Sequence, residues 1–185
     1  MTITPVATQS LPRRETVYVS VAETAKLVRA ALKAAFPGIT FSVRSKSYSM
    51  GASISVRWTD GPTEKDVERI TGEYRGATFD GMIDLKSYVT REVNGQKVHY
   101  GADYIHTIRS YSVPFAQAVA DQVADYWGRE WPTIRASEYD GSARIDTGGE
   151  PVTSGNGYRG YVTLGDLINE KLAKTDARTV ELITA

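Results

Sequence analysis

Arginine, serine and tyrosine recur in two short stretches of this sequence. RSKSYS occupies residues 44–49, and the shorter RSYS occupies residues 109–112. All three side chains donate hydrogen bonds to phosphate oxygens, and tyrosine also stacks on nucleobases. The two stretches therefore indicate either a contact surface for a nucleotide or nucleic acid, or two polar connections that bind nothing.

Three further cations precede the first stretch at helical spacing. Lys26, Arg29 and Lys33 lie three and four residues apart, which places them on one face of a helix. We expect this row to adjoin the first stretch and to form a basic surface for an anionic partner. The predicted binding residues are Lys26, Arg29, Lys33, Arg44, Lys46, Tyr48, Arg109 and Tyr111. The last two belong to the surface only if the fold brings residues 109–111 near residues 44–48; the alternative is a solvated helix face and a polar loop.

A second polar set has the residue types of an enzyme that acts on nucleic acid or nucleotides. It consists of Asp80, Asp84, Asp103 and His106, and carboxylates of this kind hold the divalent ions of nucleases. Such a site requires all four side chains to converge in one pocket. The alternative interpretation is that the aspartates accept hydrogen bonds in turns and that His106 is a semi-buried strand residue.

The sequence argues against three further kinds of site: a metal site, a reactive thiol and a dinucleotide-binding loop. On a regular strand His99 and Asp103 share a face while His106 points to the other, so we expect no metal site. The absence of cysteine excludes thiol catalysis and disulfides. GNGYRGYV (155–162) fits glycine-rich nucleotide motifs, but the surrounding sequence lacks the elements that those motifs require, and we interpret it as a loop. We expect no cofactor.

The net charge argues against two kinds of protein, and the hydropathy argues against a third. The 22 basic and 22 acidic residues give a net charge of zero, which argues against an acidic DNA mimic and against a strongly basic, non-specific nucleic-acid binder. The charges are nevertheless asymmetric, since residues 1–60 carry a net +5 and residues 61–185 a net −5. No apolar run reaches membrane-spanning length and no signal peptide is evident, so we expect a cytoplasmic protein that does not contact a membrane.

The first part of the chain predicts a helix followed by a hairpin. Ser20 and Glu23 form a Ser-x-x-Glu capping box, and Pro37-Gly38 ends the helix. Apolar residues then alternate with polar residues on both sides of Met50, which predicts two antiparallel strands. RSKSYSMG, residues 44–51, is predicted to be their polar connection.

Helices and hairpins continue along the rest of the chain. A second helix follows residues 60–63, and FDGMIDLKS (79–87) is predicted to be an ordered loop. A third helix begins at Ser112, a hairpin surrounds Asp140-Gly141, and a final helix covers residues 164–173. The predicted apolar side of the third helix consists of Phe115, Val119, Val123, Tyr126 and Trp127.

Asn94-Gly95 is the strongest turn signal in the sequence. A two-residue turn at this dipeptide predicts a hairpin with Val93 opposite Gln96. The same register places Glu92 opposite Lys97, a pair of opposite charges. We expect the second strand of this hairpin to continue to residue 110.

This order of elements predicts an α+β domain. We expect a mainly antiparallel sheet built from three helix–hairpin units, with the helices packed on one face. Residues 1–18 are predicted to be a disordered or loosely attached arm, residues 19–174 a single domain, and residues 175–185 a loose tail.

Three stretches together resemble a known family. FPGITFSVRSKSYSMGASISVRWTDGPT (36–63), FDGMIDLKSY (79–88) and VHYGADYIHTIRSYS (98–112) are similar to the large polyvalent protein-associated domain, group twenty-nine. The resemblance covers about residues 22–127 and leaves residues 128–185 without a counterpart. It implies a domain carried by phages, plasmids and other mobile elements, and it supplies no catalytic residues.

These observations favour a non-enzymatic accessory protein of a phage or plasmid. We expect it to act in the host cytoplasm by binding a host defence complex or nucleic acid, with counter-defence as one role. The alternative is an enzyme that acts on nucleic acid or nucleotides through the acidic and histidine residues named above.

Overall fold

The chain folds into small sheets flanked by helices. The structure, a computed structural model, describes residues 15–80, 82, 85–127, 135–139, 141–146, 151–152 and 162–180. The α-helices in these ranges are α1 (Val21–Ala35), α2 (Glu64–Thr71), α3 (Val113–Trp127) and α4 (Leu164–Lys174). The strands are β1 (Val17–Val19), β2 (Ser42–Tyr48), β3 (Gly51–Thr59), β4 (Ala77–Asp80), β5 (Leu85–Tyr88), β6 (Arg91–Val93), β7 (Gln96–Tyr100), β8 (Tyr104–Ser110), β9 (Arg135–Tyr139), β10 (Ser142–Asp146), β11 (Pro151–Val152) and β12 (Val162–Thr163).

The α+β class is confirmed, but the arrangement of strands differs from the prediction. The described strands form five small sheets and not one antiparallel sheet, and two of these sheets contain a parallel pair. Parallel pairing joins strands that are distant in sequence, so local alternation of residues carries no sign of it.

The central sheet has the order β2-β3-β8. β2 and β3 form the predicted antiparallel hairpin, and β8 lies parallel to β3. Ile54, Val56 and Trp58 of β3 point to one face, where they pack with Val28 and Leu32 of α1. Each such buried side chain contributes roughly 1.5–3 kcal/mol to folding. α2 adds Val67 to the same cluster, so α1 and α2 cover the same face of the sheet. Neither of these two helices lies on the opposite face.

The helix α1 begins where the sequence predicts. The Ser20 side chain accepts a hydrogen bond from the Glu23 backbone N–H, and the Glu23 carboxylate accepts one from the Ser20 N–H, which completes the capping box. Lys26, Arg29 and Lys33 lie on its exposed side.

RSKSYSMG is not a loop. β2 runs to Tyr48 and β3 starts at Gly51, so the connection consists of Ser49 and Met50 alone. Residues 44–48 pair with β3 in regular register, with Arg44 opposite Ser55. All five are solvent-exposed because they lie on an edge strand that extends beyond the core, and the apolar alternation that marks a strand is therefore missing.

The predicted long strand after Asn94-Gly95 divides at Gly101. β7 pairs with β6 and β1, whereas β8 leaves this sheet and joins β3. The Gly101 N–H donates to the Val19 carbonyl at 2.8 Å, and a Cβ at position 101 would lie 2.9 Å from that oxygen. Only glycine allows this approach. Val17–Val19 is a strand, whereas the sequence predicted an arm that extends to residue 18; residues 1–14 lie outside the described ranges.

The segment FDGMIDLKS also contains strands that the sequence did not predict. β4 pairs with β5 in antiparallel register, with Phe79 opposite Lys86.

The predicted Asn94-Gly95 hairpin is confirmed, including the opposition of Glu92 to Lys97. Its two turn residues have φ values of 50° and 75°, as a type I′ turn requires.

A second core lies between α3, α4 and the predicted hairpin β9–β10, which is confirmed. Phe115 and Val119 of α3 pack against Ile168 and Leu172 of α4. The predicted apolar side of α3 is wrong at Tyr126, which is 85% exposed.

The C-terminal segment is not loose over residues 175–180. The Ala177 N–H donates to the Gly61 carbonyl at 2.9 Å, and the Arg178 guanidinium lies 5.1 Å from the centre of the Phe36 ring. These contacts fasten the end of the described chain onto the first core.

Arg109 joins the two cores. It lies on the buried side of β8, opposite Trp58, and donates to four backbone carbonyls. Two of them belong to Asp60 and Gly61, at 3.0 Å each, and the others to Leu172 at 3.1 Å and Thr175 at 2.9 Å. One planar side chain thereby connects the turn after β3 to the end of α4.

The rings of Tyr111 and Phe115 complete the surroundings of Arg109. The guanidinium carbon lies 5.1 Å and 5.5 Å from their centres, within the range of cation–π attraction. Burial lowers the pKa of Arg109, but an arginine starts so high that it stays charged.

We predict that Arg109→Ala lowers the free energy of unfolding by about 3 kcal/mol or more, because four carbonyls at this junction each lose a charge-assisted hydrogen bond. Arg109→Lys recovers only part of this loss, since an ammonium group lacks the planar fork. Denaturant unfolding followed by circular dichroism measures both. The control is Lys174→Ala, an exposed cation on α4, for which we expect a change below about 0.5 kcal/mol. Equal unfolding midpoints for Arg109→Ala and the control would contradict this role.

We predict that Gly95→Val destabilises the β6–β7 hairpin by about 1–2 kcal/mol, because a β-branched residue resists a φ of 75°. The matched control is Gly72→Ala. Gly72 has a φ of −56°, and a Cβ there meets open space. We expect Gly72→Ala to leave the melting temperature unchanged or raised. A melting temperature for Gly95→Val equal to that of the wild type would argue against the turn.

Candidate nucleic-acid interface

The face of the central sheet that lies opposite α1 and α2 is lined by polar and aromatic side chains. Strand alternation and register place them in three rows that cross the sheet. The rows are Lys46, Ser53 and Tyr104; Arg44, Ser55 and His106; and Ser42, Arg57 and Ile108. We call this the open sheet face.

The open sheet face is positively charged. Arg44, Lys46 and Arg57 are all solvent-exposed, and β2, β3 and β8 contain no aspartate or glutamate. Three cations without a neighbouring carboxylate in the same strands attract phosphate groups, and hydroxyl groups such as Ser55 lie between them as further donors.

An aromatic pair lies beside these cations. The rings of Tyr104 and His106 are stacked along β8, with centres 6.2 Å apart and planes inclined by 17°. Tyr48 ends β2 with 44% of its surface exposed. Aromatic rings next to cations form the kind of platform on which unpaired bases stack.

The cations of α1, Lys26, Arg29 and Lys33, continue this surface around the sheet edge, and we call them the helix row. Arg29 donates from Nη2 to the carbonyl of Val43 at 2.7 Å, which places the row beside β2. Lys26 and Lys33 are exposed on the same side of the helix. The helix row and the open sheet face are thus neighbours, separated by the edge strand.

Arg109 and Tyr111 do not join this surface. Because β8 runs parallel to β3, Arg109 lies opposite Trp58 of β3. Tyr48, near the end of RSKSYS, pairs with Gly51 at the other end of β3. Seven residues of extended strand separate these positions, a distance of about 23 Å. Arg109 is also buried, and its donors are taken up by carbonyls. The condition that the sequence set for these two residues is not met.

The predicted catalytic set does not converge. Asp103 is buried, where its carboxylate accepts hydrogen bonds from the Ala52 N–H and from Lys86 Nζ, both at 3.0 Å. His106 lies on the open sheet face, three residues further along and on the opposite side. Asp84 lies outside the described residues, and of Asp80 only the backbone, in β4, is described.

The two histidines lie in different sheets of the described structure, and most of the glycine-rich motif lies outside it. His99 lies in β7, with Nδ1 3.0 Å from the Val89 carbonyl oxygen. No three His, Asp or Glu side chains in the described parts of the chain are arranged to hold a metal ion. Residues 155–161 of GNGYRGYV lie outside the described ranges.

Sequence reasoning missed Arg57 and Tyr104 and assigned His106 to a different role. The alternation in SISVRWT already places Arg57 on the face opposite Trp58. Tyr104 and His106 reach the same face only through the parallel pairing of β8 with β3, and no local pattern reports that pairing.

The fold and this surface define a small α+β domain with one basic sheet face on which neither α1 nor α2 lies. Residues 19–112 match the large polyvalent protein associated domain 29, just over half of the 185-residue chain. The chain therefore belongs to this family, as the resemblance predicted, and membership associates it with proteins of phages and other mobile elements. Comparison with curated proteins and with solved structures gives no match.

The matched region ends before α3, earlier than the boundary near residue 127 that the resemblance indicated. It contains the whole open sheet face and all of the first core. Among the described helices, none combines the length and apolar character that crossing a membrane requires.

Proposed function

We propose that this protein is a mobile-element accessory protein that acts in the host cytoplasm by binding single-stranded nucleic acid on the open sheet face. The observation that carries the proposal is the position of Arg44, Lys46 and Arg57 around the Tyr104–His106 pair, on strands without a carboxylate. The cations meet phosphates and the rings meet bases, without a requirement for base sequence.

The aromatic pair favours a single strand over a duplex. Base pairs hide their ring faces in the stack, whereas unpaired bases present them to protein rings. Each base stacked on an aromatic side chain contributes about 1–3 kcal/mol. The phosphate contacts add a salt-dependent contribution. For a single strand, the slope of log K against the logarithm of the salt concentration is about −0.7 per cation engaged.

The first test measures binding of fluorescent oligo-dT and oligo-U, about 20 nucleotides long, across a salt series. We predict that Arg44→Glu/Lys46→Glu/Arg57→Glu weakens binding at least tenfold at low salt and reduces the salt slope by about 2, since three phosphate contacts are lost. All three side chains are exposed, so the melting temperature should change little. Tyr104→Ala should weaken binding through lost stacking while leaving the salt slope unchanged.

The matched control reverses three charges elsewhere. Lys65, Arg69 and Lys174 are exposed on α2 and α4, away from the open sheet face. Their reversal to glutamate changes the net charge of the protein by the same amount, so equal loss of binding in both triple variants would show a non-specific charge effect and overturn the proposal.

The helix row has its own variant. Lys26→Glu/Arg29→Glu/Lys33→Glu leaves the buried Val28 and Leu32 untouched, although Arg29 loses its bond to Val43. A further decrease in the salt slope is expected if the strand continues around the sheet edge; an unchanged slope limits the interface to the sheet.

An acidic surface of a host defence complex is the other partner that such cations suit, and it would give the protein a counter-defence role. Affinity purification from nuclease-treated host lysate separates the two. If the wild-type protein retains a defined host complex after nuclease treatment and binds neither oligonucleotide, the proposal of nucleic-acid binding is wrong.

A further inference from the structure

A cleft of about 410 Å³ opens between β1, β5, β7 and the turn of the β2–β3 hairpin. Its chemically active lining residues are Tyr18, Tyr48, Lys86, Tyr88, His99 and Asp103. The volume lies in the range of pockets that hold small molecules. Tyr18, Lys86, Tyr88 and His99 belong to other sheets than β2–β3–β8. Ser47, Gly51 and Ala52 of the β2–β3 hairpin also line the cleft, so it adjoins the end of the open sheet face.

Two tyrosines flank a histidine in this cleft. The Tyr18 ring stacks on His99 with centres 5.6 Å apart, and the Tyr88 ring meets His99 edge-on at 5.7 Å. Tyr18 is 65% exposed and Tyr88 is 69% exposed. Packing against the core does not explain these rings, because most of their apolar surface remains in water.

Backbone groups define the positions of two of these rings, Tyr18 and His99. A Cβ at Gly101 would lie 2.5 Å from the Tyr18 hydroxyl oxygen, so the absence of a side chain at this residue allows Tyr18 to lie over the strand. His99 Nδ1 is 3.0 Å from the Val89 carbonyl oxygen, which only accepts hydrogen bonds. Nδ1 therefore carries the proton, and the ring is held in one orientation.

A cation is held beside the tyrosines. Lys86 Nζ lies 3.0 Å from Asp103 Oδ1 and 5.1 Å from the centre of the Tyr88 ring. The buried Asp103 is itself held by the Ala52 N–H. The hydrogen bond to Asp103 raises the pKa of Lys86, which keeps the ammonium charged. An ammonium group has three donors, and Asp103 engages one of them in this geometry.

We propose that this cleft binds one nucleotide, with the base stacked against Tyr18 and Tyr88 and a phosphate oxygen accepting a hydrogen bond from Lys86. Tyr48 lines the cleft and follows Arg44 and Lys46 along the same side of β2. A nucleic-acid strand bound along the open sheet face would therefore lead to the cleft. The nucleotide is therefore either a unit of the bound strand or a free mononucleotide. The first of these sources rests on the function proposed above.

The test uses two probes, AMP or UMP alone and the labelled oligonucleotides, with four variants. Tyr88→Ala should weaken binding of the probe that occupies the cleft about 5- to 150-fold, which is the equivalent of one stacked base. Tyr88→Phe keeps the ring and should bind as the wild type does. Tyr126→Ala, an exposed tyrosine on α3, should have no effect. Arg44→Glu/Lys46→Glu/Arg57→Glu should leave mononucleotide binding unchanged.

The outcomes separate the two proposals. Mononucleotide binding that Tyr88→Ala weakens, without oligonucleotide binding, supports the cleft and overturns the proposed function. Oligonucleotide binding that Tyr88→Ala weakens, without mononucleotide binding, supports the cleft as the site of one unit of the strand. Oligonucleotide binding that depends on Arg44, Lys46 and Arg57 but not on Tyr88, with no mononucleotide bound, overturns the cleft and leaves the proposed function intact.

Discussion

The buried guanidinium of Arg109 holds the architecture together. Two of its carbonyl partners, those of Leu172 and Thr175, lie at the C-terminal end of α4, where helical carbonyls lack intrahelical donors. The other two belong to the turn at Asp60-Gly61 that follows β3. A cation suits this place because it satisfies several carbonyls at once and complements the negative end of the helix dipole. An apolar side chain would take a donor from all four carbonyls, of which those of Gly61 and Leu172 also accept from the N–H groups of Ala177 and Thr175.

The position of Arg109 also determines which side chains reach solvent. Successive residues of a strand alternate between faces, so a buried residue 109 places Tyr104, His106 and Ile108 on the open side of β8. The two similar stretches of the sequence thus have opposite environments. RSKSYS lies on an exposed edge strand, whereas RSYS contributes its arginine to the junction of the two cores. Residue type alone does not distinguish them, because burial depends on which distant strand pairs with each.

Features encoded by near neighbours were predictable. The capping box at Ser20 and Glu23 and the register of the hairpin at Asn94-Gly95 follow from contacts within a few residues, and both are present. The break between β7 and β8 was not predictable, since it depends on the approach of Val19 to Gly101 across 82 positions of the chain. The same limitation applied to the candidate site. The cations of β2 were found from their types, but the aromatic half of the surface required the pairing of β8 with β3.

Protection of a sheet edge is the simplest explanation for exposed cations on strands, and it accounts for part of this surface. Edge strands commonly carry charges that prevent pairing with another chain, and Lys46 on β2 and the Arg29 bond to the Val43 carbonyl fit that role. Arg57 does not, because β3 is the central strand and both of its edges are already paired. Nor does edge protection require stacked rings at Tyr104 and His106. A ligand explains the charge and the rings in the interior of the face, whereas edge protection does not. For this reason the proposed interface includes the sheet as well as the helix row.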